Sequence, residues 1–170
     1  SDCIDSDDFG CIKTKGGTLD LTVDGEDYNA ITCDSIFKMT GGTIKMQING
    51  ATAKGIRCCW HAYFNGGDIQ ATVAGAGSRG IRGKRVIKAS ATTTKNGGNL
   101  TFNGTNINMT VTGGTYATDG SEAYGIYSDL TLTQTAGDIT IDVQNAQAHD
   151  LKGALADNWT GGTRNGKTKE

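Results

Sequence analysis

The 170-residue chain carries 16 lysines and arginines against 18 aspartates and glutamates, and this net charge of −2 gives no overall bias toward nucleic acid. Only 36% of the residues are hydrophobic and 6% aromatic, whereas there are 26 glycines and no proline. This composition argues against a compact globule with a large apolar core and favours a solenoid, in which each coil buries few side chains. No apolar run in the sequence approaches the length of a membrane-spanning segment.

A stretch of alternating apolar and polar residues recurs along the chain about every 25 residues. In Gly41–Ile48 a Gly-Gly pair precedes Thr-Ile-Lys-Met-Gln-Ile, and this period of two predicts a half-buried β-strand. Further copies of the unit begin at Gly16, Gly66, Ala136 and Gly161. A fixed period of this kind indicates a repeat architecture.

Two more short apolar units follow in each repeat. The first unit is a small residue followed by a branched apolar residue, as in Gly55-Ile56 and Gly125-Ile126. The second unit is a short strand such as 37–39. Strands this short can stack in register, coil upon coil, at about 4.8 Å. The sequence therefore predicts an all-β fold, a right-handed parallel β-helix with about 25 residues and three strands per coil.

The predicted core consists of columns of apolar residues, one from each coil. The main columns are Leu19/Ile44/Ile69/Ile107/Ile139, Leu21/Met46/Ala71/Met109/Ile141, Val23/Ile48/Val73/Val111/Val143 and Ile4/Ile31/Ile56/Ile81/Ile126/Leu151. The third strand of each repeat supplies the pairs Ile12/Thr14, Phe37/Met39, Ala62/Phe64, Leu100/Phe102 and Leu130/Leu132.

The period is interrupted twice, by insertions at about 84–99 and about 113–122. We therefore expect a single β-helix domain over 1–170 from which two loops rise on opposite sides of one sheet face. Insertions in solenoids commonly lie on the working face. The alternative is two solvent-exposed loops with no site between them.

The face between the insertions is predicted to be basic, since seven of the 16 basic residues fall within 54–88. Arg57 and Arg82 should stack about 5 Å apart, a spacing that suits the carboxylates or sulfates of an extended polyanion. Tyr127 beside them could stack on a sugar ring. The predicted carbohydrate-binding residues are Arg57, Arg82, Lys84, Arg85, Tyr116 and Tyr127. The alternative is a solvated charged face.

Acidic residues share one corner of the predicted coils, which makes Asp7 and Asp34 candidate calcium ligands because Ca²⁺ prefers oxygen ligands. Cys59 and Lys84 occupy this corner in the intervening coils, and solvated carboxylates are the alternative. The cofactor expectation is therefore none, or calcium at this corner.

Two of the five cysteines, Cys33 and Cys58, fall in one inward column of adjacent coils. Their separation permits a disulfide, but small residues fill that column elsewhere, which favours stacked free thiols. The odd number of cysteines also argues against a full disulfide framework.

The sequence gives little support to catalysis, because its two histidines, His61 and His149, lie far apart in the repeat register. No nucleophile elbow or metal-ligand pair is visible. A polysaccharide lyase is the enzymatic alternative, and its candidate residues are Arg57, Arg82 and Lys84 near Asp34.

The segments GGTIKMQINGATAKGI and AYGIYSDLTLTQTAGDITIDV resemble the right-handed β-helix carbohydrate-binding family of bacterial surface proteins. The resemblance covers most of residues 3–153 and implies a pectate-lyase-like shape. It also implies binding of acidic polysaccharides such as polygalacturonate, with calcium in some members. We therefore expect a non-catalytic, extracellular or cell-surface module of a larger protein. The alternative is a structural or adhesive stalk with no ligand of its own.

Overall fold

The computed structural model describes residues 2–6, 10–85, 87–90 and 93–169, with side chains for all of these except 87–90 and 93–96. The described residues form strands and turns, and none of them forms a helix long and apolar enough to cross a membrane. The strands in chain order are β1 Ile4–Ser6, β2 Cys11–Thr14, β3 Thr18–Val23, β4 Asn29–Cys33, β5 Ile36–Met39, β6 Thr43–Ile48, β7 Lys54–Cys58, β8 His61–Phe64, β9 Asp68–Val73, β10 Arg79–Gly83, β11 Ile87–Ser90, β12 Thr93–Asn96, β13 Asn99–Asn103, β14 Asn106–Val111, β15 Ala123–Ser128, β16 Thr131–Ala136, β17 Asp138–Val143, β18 Ala148–Gly153, β19 Ala156–Trp159, β20 Thr163–Arg164 and β21 Lys167–Thr168.

These strands form three long sheets that run along the stack of coils. The first sheet has the order β1-β4-β7-β10-β15-β18, the second β19-β16-β13-β8-β5-β2 and the third β21-β20-β17-β14-β9-β6-β3. All neighbouring strands in them are parallel except β20 and β21. Each coil contributes one strand to every sheet, which confirms the predicted parallel β-helix with three strands per coil.

The register of the sheets confirms the predicted columns in the first and third sheets. Ile44 pairs with Ile69, and Ile31 pairs with Ile56, each 25 residues further along the chain. The isoleucines of these columns are almost completely buried, except Ile4 in the first coil, and so are the phenyl rings of the second sheet. Phe64 lies between Phe37 and Phe102, with ring centroids 5.4 and 4.7 Å away. The narrow core is therefore continuous from coil to coil.

One predicted pair of the third-strand column, Leu130 and Leu132, is wrong by two residues. Leu132 pairs with Leu100, so that Gln134 rather than Leu132 lies beside Phe102. The fully buried Gln134 amide donates to the carbonyls of Gly137 and Thr163, at 3.0 Å each. Because its polar atoms are satisfied inside the coil, a glutamine can occupy a position that apolar patterning assigns to leucine.

Glycines at the corners allow the coils to approach one another closely. Gly67 has a φ of 84°, in the left-handed region that side chains rarely adopt. A Cβ added there would lie 2.5 Å from the carbonyl oxygen of Gly42 in the preceding coil. The recurrent Gly-Gly pair is thus required both by the backbone conformation and by the distance between coils.

The two insertions interrupt the 25-residue spacing at the positions where they leave the coils. The partners Ile69 and Ile107 are 38 residues apart, and Ile107 and Ile139 are 32 apart. Within the first insertion, β11 and β12 pair as an antiparallel hairpin. The second insertion, 113–122, joins β14 to β15 and is held by two turn hydrogen bonds of 2.7 and 2.9 Å at Tyr116. We call this second insertion the loop 113–122.

The five cysteines are free thiols, two of them exposed at Cys3 and Cys11 and three buried. Cys33 and Cys58 are register partners in the core, as predicted. The hydrogen bond between these two thiols lowers the pKa of Cys33 and raises that of Cys58. Burial and a hydrogen bond to Asp34 raise the pKa of Cys59 to about 11.

Candidate binding groove

A groove of about 390 Å³ lies on the outer face of the first sheet. Its floor is formed by β7 and β10, and its walls by the loop 113–122 and by the turn 24–28 with Thr52, segments that precede β15, β4 and β7 in the chain. The residues that line it are Glu26, Asp27, Thr52, Lys54, Arg57, Arg79, Arg82, Lys84, Tyr116, Thr118, Asp119 and Ser121. We call this feature the groove.

The parallel register sets the basic side chains of the floor side by side. Lys54 pairs with Arg79, and Arg57 pairs with Arg82, across neighbouring strands. Neighbouring strands are separated by about 4.8 Å, so four cations lie close together in two columns. Like charges at this spacing repel one another unless anions lie among them.

Three of these cations have a carboxylate partner of their own. Arg82 Nη2 lies 2.6 Å from Asp129 Oδ1, and Lys54 Nζ lies 2.6 Å from Asp27 Oδ1. Arg57 Nη1 lies 3.5 Å from Asp34 Oδ1. The first sheet is therefore less basic than its lysines and arginines alone predict.

Arg79 differs from the other floor cations because no described carboxylate lies within ion-pair distance of it. Its Nε is buried and has no hydrogen-bond partner, and its Nη1 makes only a long contact of 3.4 Å with the carbonyl of Gly77. Burial, together with the neighbouring charge of Arg82, lowers the pKa of Arg79. An anion bound in the groove would compensate this guanidinium.

Tyr127 supports the guanidinium groups of the floor. Its ring centroid lies 5.2 Å from the Cζ of Arg79 and 4.7 Å from that of Arg82. Tyr124 packs edge-on against it at 4.8 Å, and burial raises the pKa of Tyr124 to about 12. The ring predicted to stack on a sugar thus contacts two arginines and positions them.

A further pair of residues borders this aromatic cluster. His149 stacks on Tyr124 with ring centroids 4.6 Å apart. His149 Nε2 lies 3.0 Å from Glu122 Oε2, close enough for an ion pair when the imidazole is protonated but misaligned for a hydrogen bond.

The loop 113–122 is attached to the opposite wall of the groove. The hydroxyl of Tyr116 donates a hydrogen bond to the carboxylate of Glu26, which lies in the turn 24–28. The base of the loop is fixed by the Gly77 amide, which donates to the carbonyl of Gly114 at 2.9 Å. Asp119 accepts a hydrogen bond from the Ser121 amide at 2.8 Å, which lowers the pKa of Asp119. A carboxylate therefore lies in each wall.

The structure brings most of the predicted binding residues together, although not all of them. Arg57, Arg82, Lys84 and Tyr116 line the groove, and Tyr127 lies against two of its arginines. Arg85 is exposed outside the lining, and its amide donates to Asp129 at 2.8 Å.

The residue that distinguishes the groove, Arg79, belongs to the predicted basic segment 54–88 but was not among the predicted binding residues. Arg79 belongs to a second outward column, Asn29/Lys54/Arg79/Tyr124/His149, three positions before the first. The sequence does contain a signal for this column, because one outward residue directly precedes the pair of a small and a branched apolar residue in these repeats. The acidic wall residues Glu26 and Asp27 carried no comparable signal, since only the fold brings the turn 24–28 beside the loop 113–122.

The candidate calcium corner has a different environment from the predicted one. Asp7 lies outside the described residues. Asp34 faces Arg57 and accepts a hydrogen bond from the Cys59 thiol at 3.1 Å. Within the described part of the chain no three His, Cys, Asp or Glu side chains cluster as a metal-binding group would require.

Comparison of the chain with known protein families, curated proteins and solved structures found no match. The resemblance to β-helix carbohydrate-binding proteins therefore stays a prediction that rests on the repeat motifs.

Proposed function

We propose that this chain is a non-catalytic binding module that holds a segment of acidic polysaccharide in the groove. The observation that carries the proposal is the half-buried guanidinium of Arg79, which has no carboxylate partner among the described residues, at the floor of a polar groove bounded by two loops. Such a site offers a strong charge-assisted hydrogen bond to an anionic ligand and leaves the walls free for neutral contacts.

The lining of the groove favours a sugar over an apolar ligand. None of its twelve residues is aliphatic, whereas pockets for drug-like molecules and hydrophobic peptides are mostly apolar. Hydroxyls from Thr52, Thr118 and Ser121 and the carboxylates of the walls match the hydroxyl groups of a sugar chain. Stacked coils also provide a rigid support, on which binding orders few protein side chains.

The expected location is extracellular or at the cell surface, as part of a larger protein, because polysaccharides of this type lie outside the cell. We expect calcium to leave binding unchanged, since Asp34 already faces a guanidinium. The calcium site with Asp7 and Asp34 is tested in the same assay.

A glycan array that includes polygalacturonate and neutral polymers, screened with and without Ca²⁺, tests the proposal. We expect binding to uronate-containing glycans that weakens with added salt and is lost in Arg79→Ala. Lys152→Ala is the matched control, because Lys152 is exposed on the same sheet and does not line the groove. Circular dichroism verifies that each variant is folded.

Two results would contradict the proposal and support a different function. A folded protein that binds no glycan would support the structural stalk. Release of unsaturated products that absorb ultraviolet light would identify a polysaccharide lyase.

A further inference from the structure

We infer that the groove accepts a single carboxylate, held by Arg79, from a polysaccharide in which each uronate is flanked by neutral sugars. This inference rests on the proposed function and specifies its ligand. It differs from the binding of a homopolymer of uronates, in which every sugar carries a charge.

The first support is the distribution of charge in the groove. Of its five cations, Lys54, Arg57 and Arg82 each have a carboxylate partner within 4 Å. Lys84 is exposed at the corner end of the floor. Arg79 is therefore the described floor cation that is partly withdrawn from water and has no carboxylate partner.

The second support is the geometry of the Arg79 side chain. Its Nε has no hydrogen-bond partner, and its Nη1 has only the long contact with Gly77. Because Nε is buried, the terminal nitrogens of the planar guanidinium are the donors that a carboxylate in the groove can reach by charge-assisted hydrogen bonds. The ring of Tyr127 at 5.2 Å holds the guanidinium in place by a cation–π contact.

The third support is the acidic character of the walls. Glu26 of the turn 24–28 and Asp119 of the loop 113–122 line the groove, whereas the Asp27 carboxylate is paired with Lys54. A second anionic group on the ligand would meet one of these carboxylates and be repelled. Sugar hydroxyls, by contrast, donate hydrogen bonds to carboxylates. The walls therefore favour neutral sugars on either side of the uronate that Arg79 binds.

Isothermal titration calorimetry with matched ligands tests this inference. The ligands are oligosaccharides of hyaluronan and of gellan, both with one uronate per repeat, and of polygalacturonate. Each is compared with its carboxyl-reduced form, in which the acid is a neutral alcohol. We expect about a tenfold to hundredfold preference for the acid form of hyaluronan or gellan, the range given by a charged hydrogen bond.

The same titrations give the number of ion pairs formed. One carboxylate predicts a slope no steeper than about −1 in a plot of log K against log salt, from titrations at several salt concentrations. In Arg79→Gln the acid and reduced forms should bind equally, whereas Lys152→Gln should retain the preference. The comparison of acid and reduced ligands on the unaltered protein needs no variant, so it stands even if Arg79→Gln unfolds.

Distinct outcomes separate this inference from the proposed function. Tightest binding of polygalacturonate, with a slope of −3 or steeper, would overturn the single-carboxylate inference and leave the binding function intact. Equal binding of acid and reduced forms by the unaltered protein would also overturn it. Absence of binding to every ligand, and to the wider glycan array, would overturn both.

Discussion

At the scale of single residues, the role of each floor arginine depends on the carboxylate beside it. Asp129 lies 2.6 Å from Arg82 and also accepts the Arg85 amide, so it fixes one guanidinium and the start of the first insertion. Arg79 has no such partner in the described chain and is left to a ligand. Two arginines of the same strand, β10, thus differ, because Arg82 is paired with a carboxylate whereas the proposed function assigns Arg79 to recognition.

The stabilising role of Arg82 predicts the effect of its removal. Because both partners are largely buried, Arg82→Ala leaves the Asp129 carboxylate without its counter-ion and Tyr127 without one cation–π contact. We expect a loss of about 1–3 kcal/mol in the free energy of unfolding, measured by urea titration. Lys152→Ala, an exposed control on the same sheet, should change it by less than about 0.5 kcal/mol. Equal midpoints for the two variants would contradict this role.

The burial of the cysteines predicts their reactivity with Ellman's reagent. Cys3 and Cys11 are exposed, whereas Cys33, Cys58 and Cys59 lie in the core. The native protein should therefore react rapidly at two thiols, and the remaining three should react only in denaturant, because access rather than thiolate content limits them. A total of three thiols in denaturant would instead demonstrate a disulfide, such as Cys33–Cys58.

At the scale of elements, the corner glycines are required for two separable reasons. Gly17 has a φ of 77° but open space around its Cβ position, whereas Gly67 has both a positive φ and a backbone oxygen 2.5 Å away. Gly16 has neither constraint. The three positions therefore distinguish backbone strain from the close approach of coils.

Alanine substitutions at these glycines should follow that order. We expect Gly16→Ala to be nearly neutral and Gly17→Ala to cost about 1–2 kcal/mol from its left-handed backbone. Gly67→Ala should cost clearly more, because the added Cβ also pushes two coils apart. The midpoint of thermal unfolding measures the loss of stability in each of the three variants. If Gly67→Ala lowers the midpoint no more than Gly17→Ala, the packing explanation is refuted.

The loop 113–122 is predicted to depend on one hydrogen bond for its attachment across the groove. Tyr116→Phe removes the bond to Glu26, worth about 1 kcal/mol, so local opening should become about fivefold more frequent. Hydrogen exchange at the amides of Tyr116 and Gly120 measures this opening. Tyr28→Phe is the control, since Tyr28 is an exposed tyrosine in the turn 24–28. Unchanged exchange in Tyr116→Phe would show that other contacts hold the loop.

The elements themselves could be predicted from the sequence because the repeat imposes the same register on every coil. A period of two within each unit and of 25 between units was enough to place the columns of Ile44 and Ile56. The position of Leu132 could not be predicted in this way, because Gln134 is buried and apolar patterning cannot reveal a polar side chain whose hydrogen bonds are all made internally.

At the scale of the whole molecule, the stacked coils bring distant segments to one surface. The groove combines the turn 24–28, strands β7 and β10 and the loop 113–122, and the hydrogen-bonded residues Glu26 and Tyr116 of its walls are 90 positions apart in the chain. Sequence analysis identified Arg57, Arg82 and Tyr116, because regular spacing and insertions are visible in the chain. The walls and the distinctive state of Arg79 depend on contacts between segments, which spacing alone does not specify.

The measurement that tests the account most directly is the location of ligand-induced amide chemical-shift changes. Nuclear magnetic resonance spectra would be recorded while a hyaluronan hexasaccharide, and separately hexagalacturonate, is added to the protein. We predict that the changes cluster in 26–27, 52–57, 77–84 and 114–121, the segments around the groove. Changes confined to the outer faces of the second or third sheet, or no changes with either ligand, would contradict the groove as the binding site.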